Sequence, residues 1–422
     1  MKRLQNREWM GLDNAAKIFP PTSSKTDPRV FRFACELKEE VDPLILQKAL
    51  NQTIDLFPIF RSILKRGVFW YYLEISDLDP LVQEETKPPC SRIYNRNKKT
   101  LLFHVTYFKK RMNLEVYHVL TDGAGALQFL RMLVYQYLKI KYKKVLGKIS
   151  PIDYDASSYQ KITDSFQKYY EPHYKKQKFK LKHAYQLKGF KYPEQRMKII
   201  EGIVSVSAMH KKAKEYQTTI TVLLASILLC AIEQEMENRE KKRPIILTIP
   251  VNLRNYFDSK SVRNFFSIAE LGYNFTKGSS QLDAVVAFMK QQFEQELTEE
   301  KMKERMTSLS ALEHNVFARA IPLVVKDFCM KYATKITDRG TTASLSNVGK
   351  VDLPNELAPY INLFDVFIST NKLQACVCSY QDNLTITFTS IFKNTDVQMN
   401  FFRMITSMDI PVEIRCNNID GE

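Results

Sequence analysis

The chain has 422 residues, of which 45% are hydrophobic and 26% charged, a balance typical of a globular protein with enough material for two or more domains. This composition excludes a chain that is disordered over most of its length, and the longest near-apolar run, 220–232, is too short to cross a bilayer and predicts a buried helix. The sequence has no signal-peptide pattern and its seven cysteines follow no disulfide spacing, so it predicts a cytoplasmic protein with reduced thiols.

The net charge of +16 is concentrated in two stretches, 139–148 and 173–191, which contain lysines and no acidic residues. A basic surface of this kind attracts an anionic lipid surface, a phosphorylated cofactor or nucleic acid. A solvated lysine-rich surface explains the same pattern equally well. The sequence leaves these interpretations open, with nucleic acid the least favoured because neither stretch matches a known binding module.

Predicted strands and helices alternate along residues 1–150, which we interpret as a first domain. Asp42 followed by Pro43 is a typical helix start, and Lys65, Arg66 and Gly67 form the turn of a hairpin. Side-chain periodicity predicts strands at 30–37, 59–64, 68–73, 101–108 and 114–120, and helices at 42–56 and 124–142.

The periodicity fades over 151–195, which predicts a basic connector, and a second series of elements over 196–422 predicts a second domain. The mixed order of elements indicates an α/β or α+β class with mixed sheets. The pattern predicts strands at 197–206, 244–250, 341–346, 364–369, 373–380, 384–392 and 411–415, and helices at 218–236, 282–297, 299–337 with a break at Pro322, and 396–408.

His118 is the strongest candidate for chemistry in the first domain. It follows a strand-like segment and begins the sequence His-Val-Leu-Thr-Asp-Gly, which ends at Asp122 and Gly123 and leads into the predicted helix. A histidine at such a junction can project into a cleft and both accept and return a proton near neutral pH. The chain has no Gly-x-Ser-x-Gly elbow, Walker A loop, dinucleotide fingerprint or His-Glu-x-x-His motif. These observations favour a histidine base that acts without a metal ion or a protein nucleophile.

The sequence around His118 resembles the His-x-x-x-Asp-Gly motif of the chloramphenicol acetyltransferase-like superfamily. This superfamily includes plant BAHD acyltransferases, peptide-synthetase condensation domains, polyketide-associated acyltransferases and bacterial alcohol acetyltransferases. Other segments resemble the last two groups most closely, in the expected order along nearly the whole chain: 9–20, 250–254 with 263–266, and 346–350.

The resemblance implies two acyltransferase-like domains that meet at a channel, and an acyl group that moves from a thioester to an alcohol or amine acceptor without a covalent acyl-enzyme. The donor would be acyl-coenzyme A or an acyl-phosphopantetheine carrier protein, with no permanently bound cofactor and no metal ion. His118 would be the general base. Asp122 would fix the loop by pairing with an arginine, for which Arg254 is the candidate, and Gly123 would allow a tight turn or close packing.

Asn252, Ser346 and Asn347 are the candidates for contacts with the oxyanion or the substrate. Ser-Asn-Val-Gly at 346–349 replaces the Asp-Phe-Gly-Trp-Gly of the plant enzymes, and Tyr117 stands where many condensation domains have a second histidine. The second departure disfavours peptide condensation, and the first keeps open a non-catalytic binding or scaffold protein with this fold.

Two of the candidate residues also have simpler interpretations. Asp122 could cap the following helix, and Arg254 could be a surface charge, so the sequence leaves these roles open.

Overall fold

Two mixed β-sheets and one small antiparallel sheet form the frame of the computed structural model, which describes residues 9–150, 152, 163–174, 183–193 and 196–418. Within these residues the strands are β1 (Trp9–Gly11), β2 (Val30–Leu37), β3 (Ser62–Arg66), β4 (Tyr71–Ile75), β5 (Val82–Glu84), β6 (Phe103–Phe108), β7 (Arg111–Tyr117), β8 (Lys198–Ser205), β9 (Ile245–Asn252), β10 (Phe266–Tyr273), β11 (Ala343–Lys350), β12 (Ile361–Ile368), β13 (Leu373–Tyr380), β14 (Asn383–Ser390) and β15 (Glu413–Cys416).

Helices cover these sheets. Short 3-10 turns join several of them, including Pro58–Arg61 before β3 and Leu253–Asn255 after β9. The α-helices of the described residues are α1 (Phe19–Thr22), α2 (Pro43–Ile54), α3 (Gly123–Lys141), α4 (Lys143–Leu146), α5 (Ser165–Lys168), α6 (Val206–Glu215), α7 (Ile220–Gln234), α8 (Leu282–Glu296), α9 (Glu299–His314), α10 (Val316–Ala320), α11 (Leu323–Thr337) and α12 (Asp396–Thr406).

The sheet of the first lobe has the order β12-β2-β7-β6-β5, antiparallel except for the β5–β6 pair. The side chains of β7 from Met112 to Tyr117 are buried, and helix α3 packs on this strand and on β2. Asp42 caps α2 through its side chain and Pro43 occupies the first turn, as the sequence predicts. The strand β7 therefore carries the chain through the core and releases it at His118.

The sheet of the second lobe has the order β10-β9-β11-β13-β14-β8-β15 and mixes parallel and antiparallel pairs. Helix α7 is buried along most of its length against this sheet. No single helix of the described residues is long and apolar enough to cross a membrane; α6 and α7 meet that criterion only together, with a bend of 80° between them.

One strand of the second half of the chain belongs to the sheet of the first lobe. Strand β12 pairs antiparallel with β2, with Asp365 opposite Ala34. An ion pair also joins the lobes: the Arg111 guanidinium of β7 donates to both carboxylate oxygens of Glu201 in β8, at 3.0 and 2.8 Å. The domain bounds 1–150, 151–195 and 196–422 stay a prediction. The structure adds that one strand of the last range, β12, lies in the sheet of the first lobe.

The predicted mixed α/β class is confirmed, and the differences in detail have local causes. The predicted hairpin is shifted, because Pro58 starts a 3-10 turn and β3 begins only at Ser62. The predicted break at Pro322 exists, and the chain also breaks between α9 and α10. Helix α6 and strand β10 were not predicted. Part of the predicted connector, at 151, 153–162, 175–182 and 194–195, lies outside the described residues.

Candidate active site

His118 lies between the end of β7 and the start of α3, and its backbone is held on both sides. Its N–H donates to the carbonyl of Arg29 at 2.9 Å, and the N–H of Leu120 donates to the carbonyl of Tyr117 at 2.9 Å. Asp122 then caps α3 by accepting a hydrogen bond from the N–H of Gly125. The sequence therefore fixes the position of His118 through regular structure before and after it.

Aromatic rings surround the imidazole of His118. The Phe19 ring stacks on it at a centroid distance of 4.4 Å, and the rings of Phe31 and Phe266 lie at 5.0 and 5.5 Å. Phe19 and Phe31 belong to the first lobe and Phe266 to the second, so His118 stands at the junction of the lobes. Its side chain is only partly exposed, and burial lowers the pKa of His118 below its ordinary value of 6.5 although the Asp122 carboxylate acts in the opposite direction. The ring is therefore neutral at pH 7.

Asn264 selects the tautomer of this neutral ring. The side-chain oxygen Oδ1 of Asn264 lies 3.1 Å from Nδ1 of His118, while its Nδ2 donates to the Asp13 carboxylate at 3.3 Å. Because Asp13 accepts from the amide nitrogen, the amide oxygen must face the histidine and accept from Nδ1–H. The other ring nitrogen, Nε2, then carries the lone pair that a general base needs.

Asp13 is itself a buried carboxylate whose protonation affects this chain of contacts. It also accepts from the N–H of Ala16 at 2.8 Å, and its Oδ2 lies 3.6 Å from the Arg263 guanidinium. Burial raises the pKa of Asp13 to about 6, and the charge of Arg263 opposes that rise. Below that pH Asp13 is protonated and holds Asn264 less firmly.

We expect Asn264→Leu to lower kcat by up to about tenfold, since it removes one hydrogen bond worth about 0.5–1.5 kcal/mol that favours the active tautomer. The carbonyl of His118 itself also contributes a hydrogen bond to the ring, which limits the loss. The contact with Asn264 raises the pKa of His118, so its removal lowers that pKa further and moves the acidic limb of kcat/KM to lower pH. A pH–rate profile that falls in amplitude but does not move would contradict the assignment.

Asp122 makes both contacts that the sequence left open. Its Oδ1 accepts from the N–H of Gly125 at 3.0 Å, and its Oδ2 accepts from Nη1 of Arg254 at 2.8 Å and from the N–H of Phe265 at 2.7 Å. The Asp122 side chain is 5% exposed and that of Arg254 10%, so this is a buried ion pair between the lobes. It holds the segment before Phe266 against the loop that carries His118.

Arg254 also organises its own lobe. Its guanidinium donates to the carbonyl of Ser261 through Nε and Nη2, at 3.0 and 2.9 Å, and to Oδ1 of Asn252 at 3.2 Å. These contacts tie the turn after β9 to the segment 261–265, which carries Asn264. Arg254 is thus placed to position both Asp122 and the partner of His118.

The expected crowding at Gly123 is not found, and a neighbouring glycine has it. A Cβ atom at Gly123 would meet nothing closer than the Phe33 ring at 4.0 Å, because the first turn of α3 leaves space there. A Cβ atom at Gly125 would lie 2.2 Å from the carbonyl oxygen of Val262 and from the Thr121 hydroxyl. The close approach between the lobes therefore requires glycine at 125 and not at 123.

The three oxyanion candidates occupy different places. Asn252 ends β9, opposite Phe266 in the pairing with β10, and its Oδ1 is bound by Arg254. The Asn347 amide donates to the Thr221 hydroxyl at 2.8 Å and accepts from the N–H of Gly349 at 2.9 Å, so it holds an irregularity in β11. Among the described residues no hydrogen bond links Ser346 to His118.

A cavity of about 830 Å³ opens in the second lobe, near these residues. Asn252 and Asn347 line it, as do Lys214, Lys290 and Thr219, the cap of α7, whereas His118 and Ser346 do not. Its wall reaches the site through Asn252, whose strand partner Phe266 contacts His118. The structure thus brings His118, Asp122, Arg254 and Asn252 into one connected group and leaves Ser346 outside it.

Sequence reasoning missed Asn264, Asp13 and Phe19 as parts of the site. Each lies inside a segment that had been singled out for its resemblance, at 9–20 or 263–266, but no role could be given to it. An amide, a phenyl ring and a single carboxylate carry no signature of this role. The distances of Asn264 and Phe19 to His118, and of Asp13 to Asn264, are what reveal them.

Neither protein-family models nor curated proteins match the chain. Solved structures match it over nearly its whole length. Polyketide synthase associated protein 5 from Mycobacterium tuberculosis has a TM-score of 0.61 and 13% identity, covering 94% of this chain and 97% of that one. TRI101 from F. graminearum, complexed with coenzyme A and T-2 mycotoxin, has a TM-score of 0.63 and 12% identity, covering 96% and 99%. The starter condensation domain of rhizomide synthetase RzmA, in complex with C8-CoA, has a TM-score of 0.61 and 13% identity, covering 95% and 94%.

The chain therefore has the two-lobed fold of condensation domains and chloramphenicol acetyltransferase-like acetyltransferases, as the sequence resemblance implied. At these identities the likeness establishes the fold alone, and the chemistry has to be derived from the site.

Proposed function

We propose that the protein is an acyltransferase that moves an acyl group from an acyl-thioester to a small molecule with a hydroxyl or amine group. The observation that carries this proposal is the neutral imidazole of His118 at the junction of the lobes, with Asn264 on Nδ1 and Nε2 left as a base. The likeness to proteins solved with coenzyme A and acyl-coenzyme A supports this assignment.

His118 is the general base of the proposed reaction. As the acceptor oxygen or nitrogen attacks the thioester carbonyl, its proton moves to Nε2, and a tetrahedral oxyanion forms. The intermediate then collapses, the carbon–sulfur bond breaks, and the imidazolium returns the proton to the leaving thiolate. The products are an ester or amide and a free thiol, with no acyl-enzyme. Asn252, Ser346 and Asn347 stay candidates for the oxyanion donor, and Asn252 is the one that belongs to the connected group around His118.

The cavity of the second lobe is the proposed donor site. Its volume of about 830 Å³ lies within the range of small-molecule sites. Lys214, Lys290 and the amino-terminal end of α7 at Thr219 line it, and both lysine ammonium groups and helix N–H groups attract phosphate. Glu294 also lines the cavity and limits its positive charge. These features suit the phosphates of coenzyme A, or the phosphopantetheine arm of a carrier protein, as co-substrate. A cytoplasmic location remains part of the proposal.

Acceptor-dependent thiol release from acyl-coenzyme A tests the function. The full chain is incubated with acetyl-coenzyme A or a longer acyl-coenzyme A and a panel of alcohols and amines, and both the free thiol and the acylated product are measured. We expect turnover with a lower KM for acyl-coenzyme A than for the corresponding acyl-pantetheine, because the latter lacks the nucleotide phosphates that the lysines would contact. Saturable thioester binding without turnover on any acceptor would instead favour the non-catalytic binding or scaffold protein.

A further inference from the structure

Helix α11 exposes a row of large apolar side chains. Val324, Phe328 and Tyr332 recur every fourth residue, so they share one face of the helix, and they are 65%, 72% and 63% exposed. Val325, beside this row, is 48% exposed. The opposite face is the one that packs on the protein, through Leu323 and the buried part of Lys326. An amphipathic helix of this kind normally turns its apolar face inward, so the outward apolar face of α11 requires an explanation.

The turn between β3 and β4 extends the apolar surface of α11. Val68 and Phe69 in this turn are 72% and 46% exposed. The N–H of Leu323 donates to the carbonyl of Val68 at 2.9 Å, and Nζ of Lys326 donates to the carbonyl of Phe69 at 3.1 Å. The turn and the start of α11 are therefore neighbours. We call the resulting surface the α11 patch; its residues are Val68, Phe69, Val324, Val325, Phe328 and Tyr332.

The exposed charges next to the α11 patch are mainly positive. Lys331 and Lys335 are exposed and lie three residues beyond Phe328 and Tyr332, on the same side of the helix. Arg66 is exposed at the β3–β4 turn.

The acidic groups of this region are engaged elsewhere. The Asp327 carboxylate is buried and accepts from the Tyr71 hydroxyl at 2.8 Å. Asp338, which follows the helix, is exposed, and Nζ of Lys372 donates to its backbone carbonyl, so a cation already lies beside it. The apolar face is thus bordered by cations that no acidic group of the helix neutralises at the surface.

We propose that the α11 patch docks on an anionic lipid surface. Aliphatic and aromatic side chains of an amphipathic helix enter the boundary between headgroups and acyl chains, while lysines beside them bind anionic headgroups. The positive border and the net charge of +16 complement a lipid surface of negative charge, and these charges favour it over an apolar groove of a protein or a second copy of this basic chain.

The α11 patch is close to the candidate active site. Helix α11 packs on α1, and the Phe19 ring of α1 stacks on His118 at 4.4 Å. Docking would therefore leave only α11 and the short helix α1 between His118 and the lipid, where an apolar acceptor would concentrate. This consequence for the acceptor rests on the proposed function, whereas the docking itself does not.

Sedimentation of the full chain with sucrose-loaded vesicles tests the docking without any activity measurement. We expect the wild-type chain to bind vesicles of phosphatidylcholine mixed with phosphatidylglycerol more strongly than phosphatidylcholine alone, and salt to weaken the difference. The double variant Phe328→Glu/Tyr332→Glu should lose at least about tenfold in partitioning, since it replaces two apolar rings of the patch with carboxylates that the anionic surface repels. Lys331→Gln and Lys335→Gln should each lose about fivefold on the anionic vesicles only.

The double variant Leu44→Glu/Leu81→Glu is the matched control, because it adds the same two charges at side chains that are 74% and 66% exposed and lie outside the α11 patch and outside the basic stretches 139–148 and 173–191. It should bind vesicles like the wild type. Absence of wild-type binding to both vesicle types would overturn the proposal, as would normal binding of the Phe328→Glu/Tyr332→Glu variant. Light scattering of the same samples detects the remaining case. If the wild type is a dimer, the Phe328→Glu/Tyr332→Glu variant is a monomer and the wild type does not bind vesicles, the α11 patch is the contact surface with a second copy. That result would also overturn the proposal.

Discussion

His118→Ala is expected to lower kcat for acceptor-dependent thiol release by about 10²- to 10⁴-fold, which is the contribution of a well-placed general base. The KM for the acyl donor should change little, because His118 does not line the cavity proposed for coenzyme A. The loss should appear with every acceptor in the panel, since the proton that His118 accepts comes from whichever group attacks the thioester, and it should be larger for alcohols, which are weaker nucleophiles than amines. The measurement is steady-state thiol release, with the acylated product quantified in parallel.

His104→Ala is the control for this experiment. His104 lies in β6 of the same sheet and is also partly exposed, and burial likewise lowers its pKa below 6.5, but it is not in contact with the group around His118. It should retain full turnover. Because the Phe19 ring stacks on His118, the thermal unfolding of His118→Ala has to be compared with the wild type. A folded His118→Ala variant with undiminished turnover would exclude His118 as the base.

Much of the frame could be predicted from local pattern. Strands β2 and β13 were predicted at their observed bounds, because apolar and aromatic side chains fill both and turn residues flank them. Strand β10 was missed because its buried side includes Ser267 and Ala269, while Ile268 on the other side is 47% exposed. Its hydrophobic alternation is therefore too weak to identify a strand.

A local sequence pattern cannot show which other strand or helix an element packs against. The sequence predicts a strand near 364–369 but gives no sign that it pairs with β2 in the other lobe. The same holds in the site. The pairing of Asp122 with Arg254 was proposed only through resemblance, and Asn264 was found only from its distance to His118, although the two are 146 positions apart in the chain. Position 125 is a further example. It requires glycine because the carbonyl of Val262, in the second lobe, leaves no room for a Cβ atom.

Asp122→Ala is expected to destabilise the protein by about 3–5 kcal/mol, because it leaves the buried guanidinium of Arg254 without its carboxylate. It also removes the acceptors for the N–H groups of Gly125 and Phe265, which loosens the loop of His118 and should lower kcat. Asp122→Asn should be nearly as damaging. An amide can keep its oxygen toward Gly125, but its NH₂ group then faces the donors of Arg254 and Phe265, and all three are donors.

The double variant Asp122→Ala/Arg254→Met separates a shared unit from two independent residues. If the ion pair acts as one unit, the double variant should lose less free energy of unfolding than the sum of the two single losses, by about 0.5–3 kcal/mol, and its kcat should be no lower than that of the worse single variant. Strictly additive losses in both measurements would show that the two residues do not cooperate.

Asp55→Ala supplies the comparison, because Asp55 pairs with Arg61 at 3.2 Å but is 73% exposed. The loss there should stay below about 1 kcal/mol, as for other surface pairs. The contrast between the two pairs tests whether burial at the junction of the lobes, and not the ion pair as such, is what makes Asp122 indispensable to the position of His118.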